Sequence, residues 1–213
     1  MTTTLTRTVR PATMGDPPGV ARVLGRAFRE DPLFRWMFPD DMRRIARTTR
    51  ASALMAGFSY VPLGYSAVVE AHEDAARGPV IRGVALWSAP DGSAEGTKDA
   101  LRALPHWLGL LGPRRFARTM HYFSALKAHV PHEPHWYLSM LGADPAVPGS
   151  GAGTLLLRAG LERAGTGRVP VFLETMNPAD LGYYARFGFE VTATVAEPDT
   201  PVTHLLVRPP APA

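Results

Sequence analysis

The 213-residue chain has no cysteine, no glutamine, one asparagine (Asn177) and only two lysines (Lys98 and Lys127). Without cysteine there can be no disulfide framework and no thiolate metal site, and the commonest acyl-carrying nucleophile is missing. No run of about 18 apolar residues occurs, and Met1 to Arg7 holds no apolar stretch of signal-peptide length. A cytoplasmic protein without a membrane partner is therefore expected. Scarce lysine beside abundant arginine, alanine, glycine and proline is the composition of a GC-rich bacterial genome. The net charge of +4 is spread along the chain with no basic run and no interleaved aromatics. That is a poor footprint for nucleic acid, which is not expected as a partner. His121, His129, His132 and His135 match no zinc spacing and have no tight carboxylate group beside them, so no metal is expected.

What is present alternates strand and helix signals over a length suited to one domain, residues 1–213. Arg7 to Pro11 reads as a strand, followed by Asp16-Pro17 as a cap with proline at the first helical position. Val20, Val23, Leu24, Ala27 and Phe28 give that helix an apolar face, and Asp31-Pro32 is expected to end it. Asp40 or Asp41 opens a second helix carrying Met42, Ile45, Ala46 and Leu54. Tyr65 to Ala71 and Val80 to Ser88 pair as strands, and Pro90 to Ser93 is a loop. Residues 97–130 read as helix broken at Gly112-Pro113. Next come a strand over His135 to Ala143, a helix over Gly153 to Ala164 and a strand over Val169 to Glu174. Asn177-Pro178 opens a helix closed at Gly188, and strands follow over Phe189 to Val195 and Val202 to Val207. The expected fold is α/β (α+β), one mixed central sheet of about six to seven strands flanked by helices, with a helical insertion before the fourth strand.

The most informative segment runs from Leu138 through Pro148-Gly149-Ser150-Gly151-Ala152-Gly153-Thr154, a strand passing through a glycine loop into a helix. Glycines allow close backbone approach, and a helix start aims unpaired N–H groups and a positive dipole end at an anion. A triphosphate loop of the form G-x-x-x-x-G-K-(S/T) fails, because no lysine follows Lys127. A dinucleotide fingerprint G-x-G-x-x-G meets Thr154 at its third glycine, although Glu174 mimics the ribose-binding acid. Too little chain follows to complete a doubly wound sheet. The glycines of a merely tight turn remain an alternative, though three in five residues exceed what one turn needs.

The run from Trp136 through this loop, with Leu173-Glu174-Thr175 and Asn177 to Phe189, resembles the GCN5-related N-acetyltransferase (GNAT) family. That family's loop reads Gln or Arg, two residues, Gly, one residue, then Gly or Ala. Its second signature is an asparagine seven residues before the tyrosine of Y-x-x-x-G-F, which stands here as Asn177 and Tyr184-Ala185-Arg186-Phe187-Gly188-Phe189. The strand lead Glu133 to Leu138, the segment Phe172 to Thr175 and the tail from Pro198 to Thr203 share the likeness.

The resemblance implies acetyl-coenzyme A as acyl donor and no metal. The arm of the coenzyme would pair with the backbone of Leu141 and Ala143, where an amide can also act as an oxyanion hole. Its diphosphate would lie over the amides of Gly149, Ser150, Gly151, Gly153 and Thr154, and Asn177 would bond the pantetheine. Tyr184 would protonate the departing thiolate, and Asn177 can also serve as a helix cap. Glu174, at a strand end, is either the base that takes the amine proton, directly or through water, or a structural carboxylate paired with an arginine. Phe34, Trp36 and Phe38 read as core or pocket wall. Residues 31–40 and 97–132 would shape the acceptor side, and residues 135–190 the coenzyme-binding core. Pro148 stands where the family has Gln or Arg, and Ser150 where Arg or Lys is common. Both changes weaken the grip on a diphosphate unless Arg158 or Arg186 compensates. The expected activity is N-acetylation of a small-molecule amine, such as an antibiotic or a natural-product intermediate, by a monomer or homodimer. The alternative is a scaffold with a degenerate coenzyme site that binds a small molecule or catalyses another step without coenzyme A.

Overall fold

A computed structural model describes residues 6–72, 78–90, 98–165 and 169–210. Strand β1 (Thr6–Pro11) leads to helix α1 (Pro17–Ala27), whose apolar stripe of Val20, Val23 and Leu24 is fully buried. Asp16 precedes that helix without capping it. Its carboxylate instead accepts from the Thr13 amide and hydroxyl and from Arg10. The Arg10 guanidinium holds the Asp16 carboxyl down to about 2.

Asp31-Pro32 opens a helix rather than ending one: α1 stops at Ala27, and α2 (Pro32–Met37) starts on Asp31. A capping aspartate before proline is a start signal as much as a stop signal. Helix α3 (Asp41–Leu54) runs on through a π-helical turn, Met55–Tyr60, and a 3-10 turn, Val61–Leu63. Of the apolar residues expected there, Met42, Ile45 and Ala46 point to solvent and Leu54 is buried; the rest of the inward face is Arg44, Thr48, Ala51 and Ser52. The cause is close helix packing. A Cβ on Gly25 of α1 would fall 2.0 Å from the Thr49 hydroxyl, so small side chains must face α1. Arg44 is tolerated at 6 % exposure because its guanidinium bonds the Phe38 and Pro39 carbonyls and the Asp41 carboxylate.

Strands β2 (Ala67–His72) and β3 (Val80–Ser88) precede helices α4 (Lys98–Leu111) and α5 (Pro113–Lys127), which break at Gly112 as the sequence indicates. Of the expected 90–93 loop, residues 91–93 lie outside the described residues. Then follow β4 (Trp136–Ala143), α6 (Ala152–Gly165), β5 (Val171–Thr175), a 3-10 turn (Pro178–Asp180), α7 (Leu181–Ala185), β6 (Glu190–Val195) and β7 (Thr203–Arg208). The seven strands form one sheet in the order β1-β2-β3-β4-β5-β7-β6, antiparallel except for β4 with β5. The architecture is the expected one, with the α4–α5 insertion before the fourth strand. No helix among the described residues is long and apolar enough to cross a membrane.

Strand alternation divides the core between the two faces of the sheet. Val68, Val84, Leu86 and Met140 pack with α1, α2 and α3, while Val69, Ala85, Trp87 and Leu138 pack with Leu156 and Leu157 of α6. Helix α6 lies so close to the sheet that a Cβ on Gly160 would fall 2.3 Å from the Trp87 indole. In β4, Leu138 and Met140 face opposite sides although two residues apart. The register explains this: Trp87 pairs with Leu138 and Leu86 with Met140, so Ser139 is the extra residue of a β-bulge.

Candidate active site

The Ser139 bulge makes the site. Strands β4 and β5 pair only at Trp136–Val171, Tyr137–Phe172 and Leu138–Leu173. The bulge bends β4 immediately after the last pair, so its end at Leu141 to Ala143 diverges from Glu174 and Thr175. A cleft of about 410 Å³ runs from this notch along the glycine loop. A cavity of about 880 Å³ lies behind it. Leu141, Ala143, Pro145, Asp180 and Tyr184 line both, so the two spaces meet at Tyr184.

The cleft is built from backbone. Gly149 and Gly151 have φ of 69° and 72°, the left-handed region that side chains disfavour, and added Cβ atoms there would meet nothing. Backbone conformation rather than crowding therefore demands glycine. The Leu155 amide bonds the Gly151 carbonyl at 3.0 Å, so the amides of Ala152, Gly153 and Thr154 form the open first turn of α6. Ser150 departs from its expected part, because its amide turns back to the Val147 carbonyl at 3.3 Å. Below the loop, the fully buried Asp144 carboxylate receives Arg22 and Arg82 at 2.7 Å and Arg26 at 3.3 Å. Burial alone would raise Asp144, but these arginines and the Ala146 amide hold it below the usual carboxylate range. Of the two arginines that could strengthen the loop, Arg158 is exposed on α6, and Arg186 lies over the Tyr183 ring at 5.3 Å. The residues present fit a phosphate-bearing ligand. They combine left-handed glycines with open space outside them, free first-turn amides and a parted strand pair.

Tyr184 reaches the junction because α7 is short and tightly closed. Asn177 caps the preceding turn, its side-chain oxygen accepting from the Ala179 amide at 3.2 Å, and Gly188 at φ 80° closes the other end. The Phe187 and Phe189 amides both return to the Tyr184 carbonyl. Burial, followed by the charges of Asp180 and Asp31, pushes the Tyr184 hydroxyl well above its ordinary value. The group holds its proton at neutral pH. Asn177, Glu174, Leu141 and Ala143 join Tyr184 on the wall of the cavity.

Among the described residues Glu174 is paired with no arginine. Its partner is Tyr137, whose hydroxyl donates to Oε1 at 3.0 Å, and burial raises the Glu174 carboxyl. Tyr137 itself is stacked on Phe172 at 5.6 Å and raised well above the ordinary phenol range by burial and by Glu174. Two further carboxylates were absent from the expected site. Asp31 accepts from the Leu33 and Phe34 amides through Oδ1, and burial pushes it up to about 6. Asp180 lines both spaces and is also raised, chiefly by burial. In the sequence Asp31 is indistinguishable from a helix cap, and only its position across from β5 reveals it. The remaining walls are apolar, with Phe34, Met37, Trp107, Phe123 and Met176 prominent, and no described arginine, lysine or histidine lines the cavity. Phe34 lines the cavity and Phe38 lies in the core, each within the expected reading.

Residues 115–189 match the model of the acetyltransferase (GNAT) family. The fold is shared with solved acetyltransferases. A structure described as histone acetyltransferase HPA2 and related acetyltransferase, from Corynebacterium glutamicum, is 28 % identical, with TM-score 0.71 over 97 % of this chain and 98 % of that one. The C-terminal condensation domain of Ebony, in complex with beta-alanyl-dopamine, is 12 % identical, with TM-score 0.64 over 96 % and 99 %. The polyamine N-acetyltransferase of Drosophila melanogaster, which forms N-acetylagmatine, is 14 % identical, with TM-score 0.61 over 95 % and 99 %.

Proposed function

We propose that the chain, an enzyme of the GNAT acetyltransferase type, transfers the acetyl group of acetyl-coenzyme A to a small-molecule amine within a single domain, residues 1–213. The observation that carries this reading is the junction at Tyr184, where a backbone-lined cleft suited to phosphates meets a cavity lined by carboxylates and no described basic side chain. A cavity of that charge and shape attracts an ammonium group on an apolar body.

When bound, acetyl-coenzyme A supplies an activated thioester carbonyl. The amides of Gly151, Gly153 and Thr154, together with Gly149, hold its diphosphate. Leu141 and Ala143 offer main-chain groups to its arm, and Asn177 bonds the pantetheine. Asp31 and Asp180 draw the ammonium into the cavity. Glu174, raised by burial and held in place by Tyr137, takes the proton that the amine must lose before its nitrogen can attack. Tyr184, still protonated, would give its proton to the departing sulfur and take up the second proton that the new amide nitrogen sheds, so the thiol leaves neutral and the phenol is restored. The amine attacks directly, without a covalent intermediate on the enzyme.

The likeness of Glu133 to Leu138, Phe172 to Thr175 and Pro198 to Thr203 to puromycin N-acetyltransferase places antibiotic and biosynthetic amines first among acceptors to be tried. A bacterial cytoplasm is the proposed setting, which the cysteine-free, arginine-rich composition supports. The test is calorimetric titration with acetyl-coenzyme A, followed by thiol-release assays with arylalkylamines, polyamines and an amino-terminal peptide. Saturable micromolar binding and turnover of a small amine are expected. No heat at millimolar coenzyme would sink the reading. It would favour a second one, that the site works without coenzyme A, which Pro148 and Ser150 support.

A further inference from the structure

We infer that Arg7, on the edge strand β1, is the cation of the coenzyme cleft, standing in space where a basic residue at position 150 would stand in sequence. The inference rests on the coenzyme reading above. From Asp144 to Thr154 the loop contains no lysine or arginine, so its amides meet a phosphate without any charge-assisted contact of their own. Arginine is the side chain best suited to supply one.

The sheet brings Arg7 to the loop from 143 residues away in sequence. Alternation along β1 decides its direction. Val9 packs into the core beneath α6, whereas Arg10 turns to the opposite face, onto Asp16 and Glu70. Arg7 lies two residues before Val9 and shares its face. There its Nη1 donates to the Ser150 carbonyl. A guanidinium carries five N–H donors in a fork, so one carbonyl orients the group without exhausting it.

Four other arginines near the loop are otherwise committed, and Arg158 is exposed on α6. Arg22, Arg26 and Arg82 converge on the buried Asp144 carboxylate. Arg186 covers the Tyr183 ring. Among the described residues Arg7 meets no carboxylate, and it is exposed at the rim of the loop. Its charge is therefore available to a phosphate. The Ser150 carbonyl is the anchor that keeps it there.

The test is calorimetric affinity for coenzyme A and for 3′-dephospho-coenzyme A, measured on the wild-type protein, Arg7→Ala, and Arg7→Ala combined with Ser150→Arg. Arg7→Ala is expected to weaken coenzyme A about tenfold, the size of one charge-assisted contact. The second substitution, which cannot rebuild the link to β1, is expected to restore most of that loss. Weakening of both ligands assigns Arg7 to the diphosphate, and weakening of coenzyme A alone assigns it to the 3′-phosphate. If Arg7→Ala binds within twofold of wild type, or if Ser150→Arg restores nothing, the inference is overturned. Failure of the wild-type protein to bind any coenzyme overturns the proposed function along with it.

Discussion

The cleft and the cavity are adjacent spaces made in opposite ways. The cleft is lined by the contiguous chain from Leu141 to Thr154 with only three residues of the α7 region, and its recognition groups are main-chain amides. The cavity draws side chains from α1, α2, α4, α5, β4, β5 and the Asn177 turn, and its recognition groups are carboxylates and apolar surface. A backbone cradle tolerates change in the side chains around it, Pro148 and Ser150 included. A side-chain cavity changes its ligand with every substitution. On the proposed function, specificity for the acceptor resides in the second space and commitment to the donor in the first.

The sharpest test of that division is Tyr184→Phe at the junction. Turnover is expected to fall by at least about a hundredfold, as removal of a general acid does. Coenzyme affinity by calorimetry should be unchanged. A parallel loss of affinity would break the distinction between chemistry and cradle. Glu174→Gln is expected to cost about as much in turnover and to abolish the acid limb of the pH–rate profile, which steady-state rates from pH 5 to 9 would read out.

Asp31→Asn probes the cavity alone. Asparagine keeps the cap on the Leu33 and Phe34 amides while removing the charge. The acceptor KM should rise about tenfold, the effect of losing one ionic contact, with coenzyme affinity intact. Stability supplies an independent reading. Burial lifts the Asp31 carboxyl from 3.8 to about 6, so the folded state binds more protons than the unfolded chain between those values. Its contribution to stability is therefore greatest below pH 3.8 and is lost as pH rises to 6. The substitution should flatten denaturant stability across that window and raise it by about 2 kcal/mol at pH 7.5. Asp16 behaves oppositely. Lowered from 3.8 to about 2 by Arg10, it stabilises above pH 3.8 and loses that contribution as pH falls toward 2.

The smallest expected effect lies in the cradle. Gly151→Ala places a side chain at φ 72°, which should cost about 1 kcal/mol in thermal or denaturant unfolding. Coenzyme affinity should weaken a few-fold, with acceptor KM unaltered. A change in KM instead would show that the two spaces are not separable.

Legibility in the sequence follows the same line as the division of the site. The order of the strands, the break at Gly112 and the turn that Asn177 opens are properties of neighbouring residues and appear where the sequence placed them, whereas the short helix after Asp31 does not. The misreadings concern residues whose hydrogen-bond or packing partner could not be chosen from spacing alone, whether that partner is near or far along the chain. Met42, Ile45 and Ala46 satisfied a helical apolar pattern, yet contact at Gly25 turned the polar face of α3 inward. Asp16 had the position of a cap and was drawn away by Arg10 on β1. Ser150 had an amide in the loop and spent it on a turn to Val147.

The sequence alone therefore determined the α/β architecture, the glycine loop that opens α6 and the tyrosine of α7 beyond it, because main-chain conformation and short spacings are encoded locally. Only the tertiary structure decided what surrounds them. The extra residue Ser139 parts β4 from β5 and opens the cleft, and that bulge is visible only against the register of β3. Asp31, Glu174 and Asp180 become one acidic lining only when α2, β5 and the Asn177 turn close on the same space. Their raised carboxyls arise mainly from burial, and burial is a property of the assembled fold rather than of any stretch of chain.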